Sequence, residues 1–272
     1  MIDTNNLIYA RTTLNYLSGM EPTAIPVEIM NGRLAEVSFD EHGFELINHQ
    51  SVALDLASRD QAEADHYTEI RAFAKARTGC DFVLFFPAVW RDPSSAAINE
   101  DYNPIQLVHS DYTEGYANVI RNRDHPYHQL MTRFMEAEKV SSADVESASR
   151  ILTLQLWRNL GSDLMDYPLA FCDGRSVARD ELLPHLVETY GGVPTRFESF
   201  LVMAPTTQPC PHRWYIFPRM KRDEVVVFRA FDSELATAGR PFWTPHTAFL
   251  DPTLENAQPR ESIEMRPICF WK

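Results

Sequence analysis

Positive charge, glycine and cysteine are all scarce in this 272-residue chain. Lysine and arginine number 25 against 38 acidic residues, for a net charge of −13. That deficit argues against nucleic acid, which needs a cationic footprint, and against anionic membranes. It leaves room for a small anionic ligand, because one arginine in a dry pocket outweighs a distant, screened surface field. The cysteines Cys80, Cys172, Cys210 and Cys269 lie far apart with no C-x-x-C pair. A zinc ribbon or thioredoxin-type site therefore has no basis, and reduced, partly buried thiols are expected. No apolar run is long: residues 82–89 are too short to span a bilayer and are broken by Pro87. The opening Met1-Ile2-Asp3-Thr4-Asn5-Asn6 has neither a basic nor an apolar leader segment, so a cytoplasmic protein is expected. Gly191-Gly192 lacks the phosphate-cradle pattern, and there is no dinucleotide fingerprint and no G-x-S-x-G elbow.

What is present is strand signal. Hydrophobic residues make up 44% and charged residues 23%, an ordinary globular balance. Residues 26–30 and 34–39 flank Asn31-Gly32, a hairpin signal, and 43–47 continues extended. Apolar spacing predicts a helix over 60–78 stopped by Gly79, then a buried strand over 81–89. A mainly helical stretch, 112–138, is interrupted at Pro126. Further strands are expected over 105–109, 150–157, 167–172, 197–203, 213–217, 224–231 and 247–250, with one long final strand over 261–271 and a short helix over 178–183. No repeat or linker divides the chain. One domain over 1–272 is expected, with strands and a helix of 1–104 packing on a core of 105–272 that carries inserted helices. Many short strands with proline-rich turns indicate a mainly β jelly roll, a cupin-like double-stranded β-helix with flanking helices.

The chemistry concentrates in His109-Ser110-Asp111. Residues two apart on a strand share a face, so an imidazole and a carboxylate would project together. A distant His246 would complete the two-histidine, one-carboxylate set that suits non-haem Fe(II) and leaves positions for O2 and a cosubstrate. Fourteen residues on, Arg260 and Ser262 share a strand face, and an arginine fork beside a hydroxyl clamps a carboxylate. Arg266 could equally pair with Glu264. His125 and His128 are three apart, but Pro126 between them favours a solvated turn over a metal pair. Cys210-Pro211-His212 reads as loop. Trp157-Arg158 is balanced between a core edge and a substrate pocket.

Several segments together resemble the AsaB-type hydroxylase/desaturase family: Phe39-Asp40-Glu41-His42-Gly43-Phe44, Val108-His109-Ser110-Asp111, Leu156-Trp157-Arg158-Asn159, Pro168-Leu169-Ala170-Phe171-Cys172-Asp173, His212-Arg213-Trp214-Tyr215-Ile216-Phe217-Pro218, Phe231-Asp232-Ser233, Thr244-Pro245-His246-Thr247-Ala248-Phe249 and Pro259-Arg260-Glu261-Ser262-Ile263-Glu264. The resemblance implies an Fe(II)/2-oxoglutarate-dependent dioxygenase acting with O2 on a small secondary-metabolite intermediate by hydroxylation, desaturation or cyclisation. It implies metal ligands at His109, Asp111 and His246 and a 2-oxoglutarate clamp at Arg260 and Ser262. Trp157, Arg158, Gln155 and Tyr112 are the expected substrate-binding residues. Gln155 stands where the family usually has asparagine, and Asn159 where it has proline, so the pocket beside Trp157 is expected to differ. A metal-dependent oxidase without 2-oxoglutarate and a non-catalytic jelly-roll accessory protein are the alternatives, and a homodimer is left open.

Overall fold

A computed structural model of the chain describes residues 7–51 and 59–272. The N-terminal hexapeptide read above for a leader lies outside the described residues. Among the described residues fifteen strands form two sheets. In chain order they are β1 (Ile8–Ser18), β2 (Glu21–Asn31), β3 (Phe44–Asn48), β4 (Phe82–Phe85), β5 (Val89–Arg91), β6 (His109–Ser110), β7 (Arg150–Asn159), β8 (Leu169–Cys172), β9 (Leu182–Tyr190), β10 (Val193–Val202), β11 (Trp214–Ile216), β12 (Glu224–Asp232), β13 (His246–Ala248), β14 (Ser262–Met265) and β15 (Pro267–Trp271). The larger sheet runs β1-β2-β11-β8-β13-β6-β10-β9. The smaller runs β3-β12-β7-β14-β5, with β15 bridging β7 and β4. This is the mainly β, double-stranded β-helix architecture. Strands β1 to β5 belong to these two sheets: β2 pairs with β11, β3 with β12, β5 with β14 and β4 with β15.

Sequence explains the central strands directly. Strands β7 and β12 are buried nearly end to end, and their Leu- and Val-rich runs suit strands covered on both faces. One face of the smaller sheet looks into the fold. A 20-residue helix, Arg59–Thr78, packs on β4 and β15. Gly79 ends it at φ 69°, its N–H bonded to the Lys75 carbonyl, the left-handed cap that glycine makes without strain.

Some local expectations fail for physical reasons. The first hairpin turns between β1 and β2 at Gly19 (φ 63°), not at Asn31-Gly32. At Asn31 the chain leaves the sheet: Ala35 N–H bonds the Asn31 carbonyl, and Ser38 then caps a short helix, Phe39–His42. Residues 261–271 form two strands, β14 and β15, separated at Arg266. The expected helix over 178–183 is one 3-10 turn leading into β9, whose partner β10 is reached through Gly191-Gly192, both at positive φ. His128 is buried, not solvated: its ring bonds the Ile120 carbonyl (2.6 Å) and the Ser142 hydroxyl (3.0 Å).

Candidate metal centre and its cavity

Strand β6 is short but central, paired to β13 on one side and β10 on the other. The β6–β13 register sets His109 directly opposite His246, with ring centroids 4.4 Å apart. Asp111 follows one residue past β6 on the His109 face. One ligand atom from each of His109, Asp111 and His246 lies within 4.8 Å of the other two.

The hydrogen bonds decide which ring nitrogens remain. His109 Nδ1 is 2.8 Å from the Leu107 carbonyl, and His246 Nδ1 is 3.0 Å from the Thr244 carbonyl. A carbonyl only accepts, so each Nδ1 carries a proton, and in the neutral ring Nε2 is the nitrogen that keeps its lone pair. Burial, followed by neighbouring His246, pushes His109 down to about 4, so its ring is neutral at ordinary pH, the form a metal requires. Phe228 meets the His246 ring edge to face at 4.9 Å. The Asp111 carboxylate accepts a bond from the Gln155 amide on β7, in the facing sheet. Two imidazoles and a carboxylate, each held from behind, fit the donor set of a non-haem iron site.

The three residues open on a cavity of about 460 Å³ between the sheets. Arg260 lines its wall, almost wholly buried, with Nε on the Ser262 hydroxyl at 2.9 Å and its guanidinium 5.1 Å from the Trp157 ring centroid. Burial and the nearby Arg91 lower Arg260 to about 9, leaving it charged at neutral pH. Ser262 is buried beneath the arginine and orients it. Glu264, lowered to about 2 because Arg91, Arg266 and Arg260 outweigh its burial, sits at the centre of this wall.

The four expected substrate residues separate. Tyr112 and Gln155 line the cavity; Trp157 and Arg158 do not. Trp157 shares Gln155's face of β7 but lies beneath Arg260 and packs in a second apolar cluster with Phe44 and Phe171. Arg158 points to the opposite face, as strand alternation requires. There it donates to the carbonyls of His49 (2.8 Å) and Arg222 (2.7 Å) and to His49 Nδ1 (2.7 Å). Sequence reasoning missed Arg91, Tyr127, Tyr190, Phe197 and Phe228, all of which line the cavity. They are scattered over five elements, and only the unknown register could have brought them together.

A β-helix with two histidines and a carboxylate on neighbouring strands of one cavity wall defines a class of metal-dependent oxygenase scaffolds. The Oxidoreductase/YMDC permease-like domain family matches residues 5–270. The Fe(II)/2-oxoglutarate-dependent dioxygenase nvfI of Aspergillus novofumigatus is 30% identical over 254 residues, covering 90% of this chain and 82% of that protein. The hydroxylase/desaturase CTB9 of Cercospora beticola is 27% identical over 264 residues, covering 90% and 76%. The solved structure of the iron and alpha-ketoglutarate-dependent endoperoxidase NvfI superposes with a TM-score of 0.72 over 96% of this chain and 94% of that one, at 23% identity, a likeness of fold. The chain belongs to the Fe(II)/2-oxoglutarate-dependent hydroxylase/desaturase family. Among the described residues no helix is long and apolar enough to cross a membrane.

Proposed function

We propose that residues 1–272 act as one oxygenase domain that uses Fe(II), 2-oxoglutarate and O2 to hydroxylate, desaturate or cyclise a small secondary-metabolite intermediate. His109, Asp111 and His246 would hold the iron, and Arg260 would hold the far carboxylate of 2-oxoglutarate, with Ser262 fixing the guanidinium. One observation carries this reading: the three ligand atoms, within 4.8 Å of one another, face the same cavity as a buried arginine whose aromatic and hydroxyl neighbours orient it. Bound iron with its cosubstrate supplies the oxidising chemistry.

The chain's own part is orientation and exclusion of water. The carbonyls of Leu107 and Thr244 keep each Nδ1 protonated. The Gln155 amide holds one carboxylate oxygen of Asp111, fixing its orientation. Arg260, desolvated against Trp157, favours a carboxylate strongly because water no longer competes. Phe86, Tyr112, Tyr127 and Phe197 line the rest of the cavity and give an apolar substrate a dry seat.

Wild-type protein supplied with Fe(II), 2-oxoglutarate and O2 should form succinate, and His109→Ala should reduce succinate to the metal-free background. Equal succinate from the variant removes His109 from the metal site. Oxidation of a substrate without succinate would support the oxidase that draws all electrons from its substrate.

A further inference from the structure

The arginine wall holds more positive charge than the cosubstrate uses. Three guanidinium groups meet one carboxylate, Glu264: Arg91 at 2.9 Å, Arg266 at 3.0 Å and Arg260 at 3.7 Å. Arg91 is spent, donating also to the carbonyls of Asp101 (2.8 Å) and Asn103 (2.7 Å) and to the Tyr190 hydroxyl (2.6 Å). The other acids near the opening do not balance the wall. Asp101 accepts from the Gly191 N–H at 2.7 Å, and Glu100 is exposed, so its charge is screened.

Arg266 differs from both neighbours. It follows β14, lines the cavity and is 13% exposed. Its Nη2 reaches Glu264, its guanidinium lies 5.8 Å from the Tyr190 ring centroid, and its buried Nε has no partner among the described residues. A buried charged donor without an acceptor is costly unless a ligand supplies one. The surfaces around it are apolar: Tyr127 is stacked between Phe86 (3.9 Å) and Phe197 (4.9 Å), and its hydroxyl is already bonded to Tyr112 at 2.8 Å.

We propose that Arg266 is a second anion site in the cavity, distinct from Arg260, which binds a carboxylate of the substrate, so that the substrate class is a hydrophobic carboxylic acid. The inference rests on the oxygenase reading above, which commits Arg260 to 2-oxoglutarate. The acid group would pair with Arg266 while the apolar body lies against Phe86, Tyr127 and Phe197, within the cavity that also holds the triad.

The test is calorimetric and needs no turnover. Protein loaded anaerobically with Fe(II) and saturating 2-oxoglutarate is titrated with 1-naphthoate and with its neutral counterpart 1-naphthamide. Wild type should prefer the acid by at least about tenfold, the scale of a charge-assisted hydrogen bond. Arg266→Gln should abolish that preference while 2-oxoglutarate affinity stays unchanged, and Arg266→Lys should restore part of it. Arg260→Gln should do the reverse, weakening 2-oxoglutarate and sparing the preference. Equal affinity of wild type for acid and amide overturns the proposal even if Arg266→Gln fails to fold. So does a preference that survives in Arg266→Gln or vanishes in Arg260→Gln, since the acid would then occupy the cosubstrate's place. Failure of wild type to bind 2-oxoglutarate at all would instead strike the oxygenase reading.

Discussion

Two buried arginines show how differently one residue type serves the two faces of the smaller sheet. Arg158 and Arg260 are both almost inaccessible to water. Arg158 is engaged at both terminal nitrogens, which meet two backbone carbonyls and an imidazole on the side covered by the long helix, where His49 also meets Phe73 edge to face at 5.3 Å; its Nε has no partner among the described residues. Arg260 has its Nε tied to Ser262 and a carbonyl 3.3 Å from Nη1, with only a distant carboxylate at Nη2. An arginine whose terminal nitrogens are tied up by the fold itself is part of the framework. One that is clamped at one edge and open at the other is poised for a ligand.

The largest effect that would sharpen this comparison is on stability. Arg158→Met should leave the carbonyls of His49 and Arg222 without their donor inside the fold and lower unfolding free energy by about 3 kcal/mol. Cosubstrate affinity should not change. Urea unfolding alongside 2-oxoglutarate titration checks both halves, and a loss of affinity with stability intact would return Arg158 to the pocket.

Acid should act on the same framework side. His66, in the long helix near Arg158 and His49, is pushed down to about 4 by burial, with Glu69 opposing. Above the ordinary histidine value of 6.5 neither folded nor unfolded chain binds a proton there. Below it the unfolded chain does and the folded chain resists, so stability falls as pH drops from about 6.5 to about 4. This group should account for about 3 kcal/mol of that loss. Unfolding curves across the window should be correspondingly flatter in His66→Gln, and identical curves would remove His66 as a source.

On the cavity face the expected change is in binding. Arg260→Gln should weaken 2-oxoglutarate by about 30-fold, near 2 kcal/mol, as expected for a lost charged partner. Its melting temperature should match wild type or exceed it, because a desolvated charge is removed. A collapse of stability with unchanged affinity would make Arg260 a second Arg158.

Sequence located the candidate triad more readily than the cavity around it. His109 and Asp111 were legible because a two-residue spacing on a strand is local geometry, and Arg260 with Ser262 for the same reason. His246 followed from order along the chain and from family likeness. Most strand positions were legible from β-branched and aromatic runs, but their pairing was not: nothing local says that β1 and β2 join the ligand-bearing sheet, or that β4 and β5 pair with the chain's last strands. Arg158 misled because Trp157-Arg158 is a conspicuous pair whose members, being adjacent on a strand, must face opposite ways. Arg91, from a three-residue strand, becomes part of the site only through a partner 173 residues away.

Gln155 gives the finest test, because it lies on the cavity face of the strand whose other face carries Arg158. Its amide bonds one oxygen of Asp111, which makes it a positioning residue: it touches a ligand side chain rather than the metal. Partners of this kind tune metal affinity by tenfold or somewhat more. Gln155→Leu should therefore weaken Fe(II) by about tenfold, read from an anaerobic titration at fixed 2-oxoglutarate, where the iron–cosubstrate complex has a visible absorption band. At saturating iron the 2-oxoglutarate affinity should be unchanged, since Arg260 is untouched. Gln155→Glu should weaken iron further, because a second carboxylate beside Asp111 either repels it or takes up a proton and reorients it. If both variants bind iron like wild type, the amide merely fills space beside Asp111, and the contrast between the two faces of β7 narrows to that between Trp157, packed beneath Arg260, and Arg158.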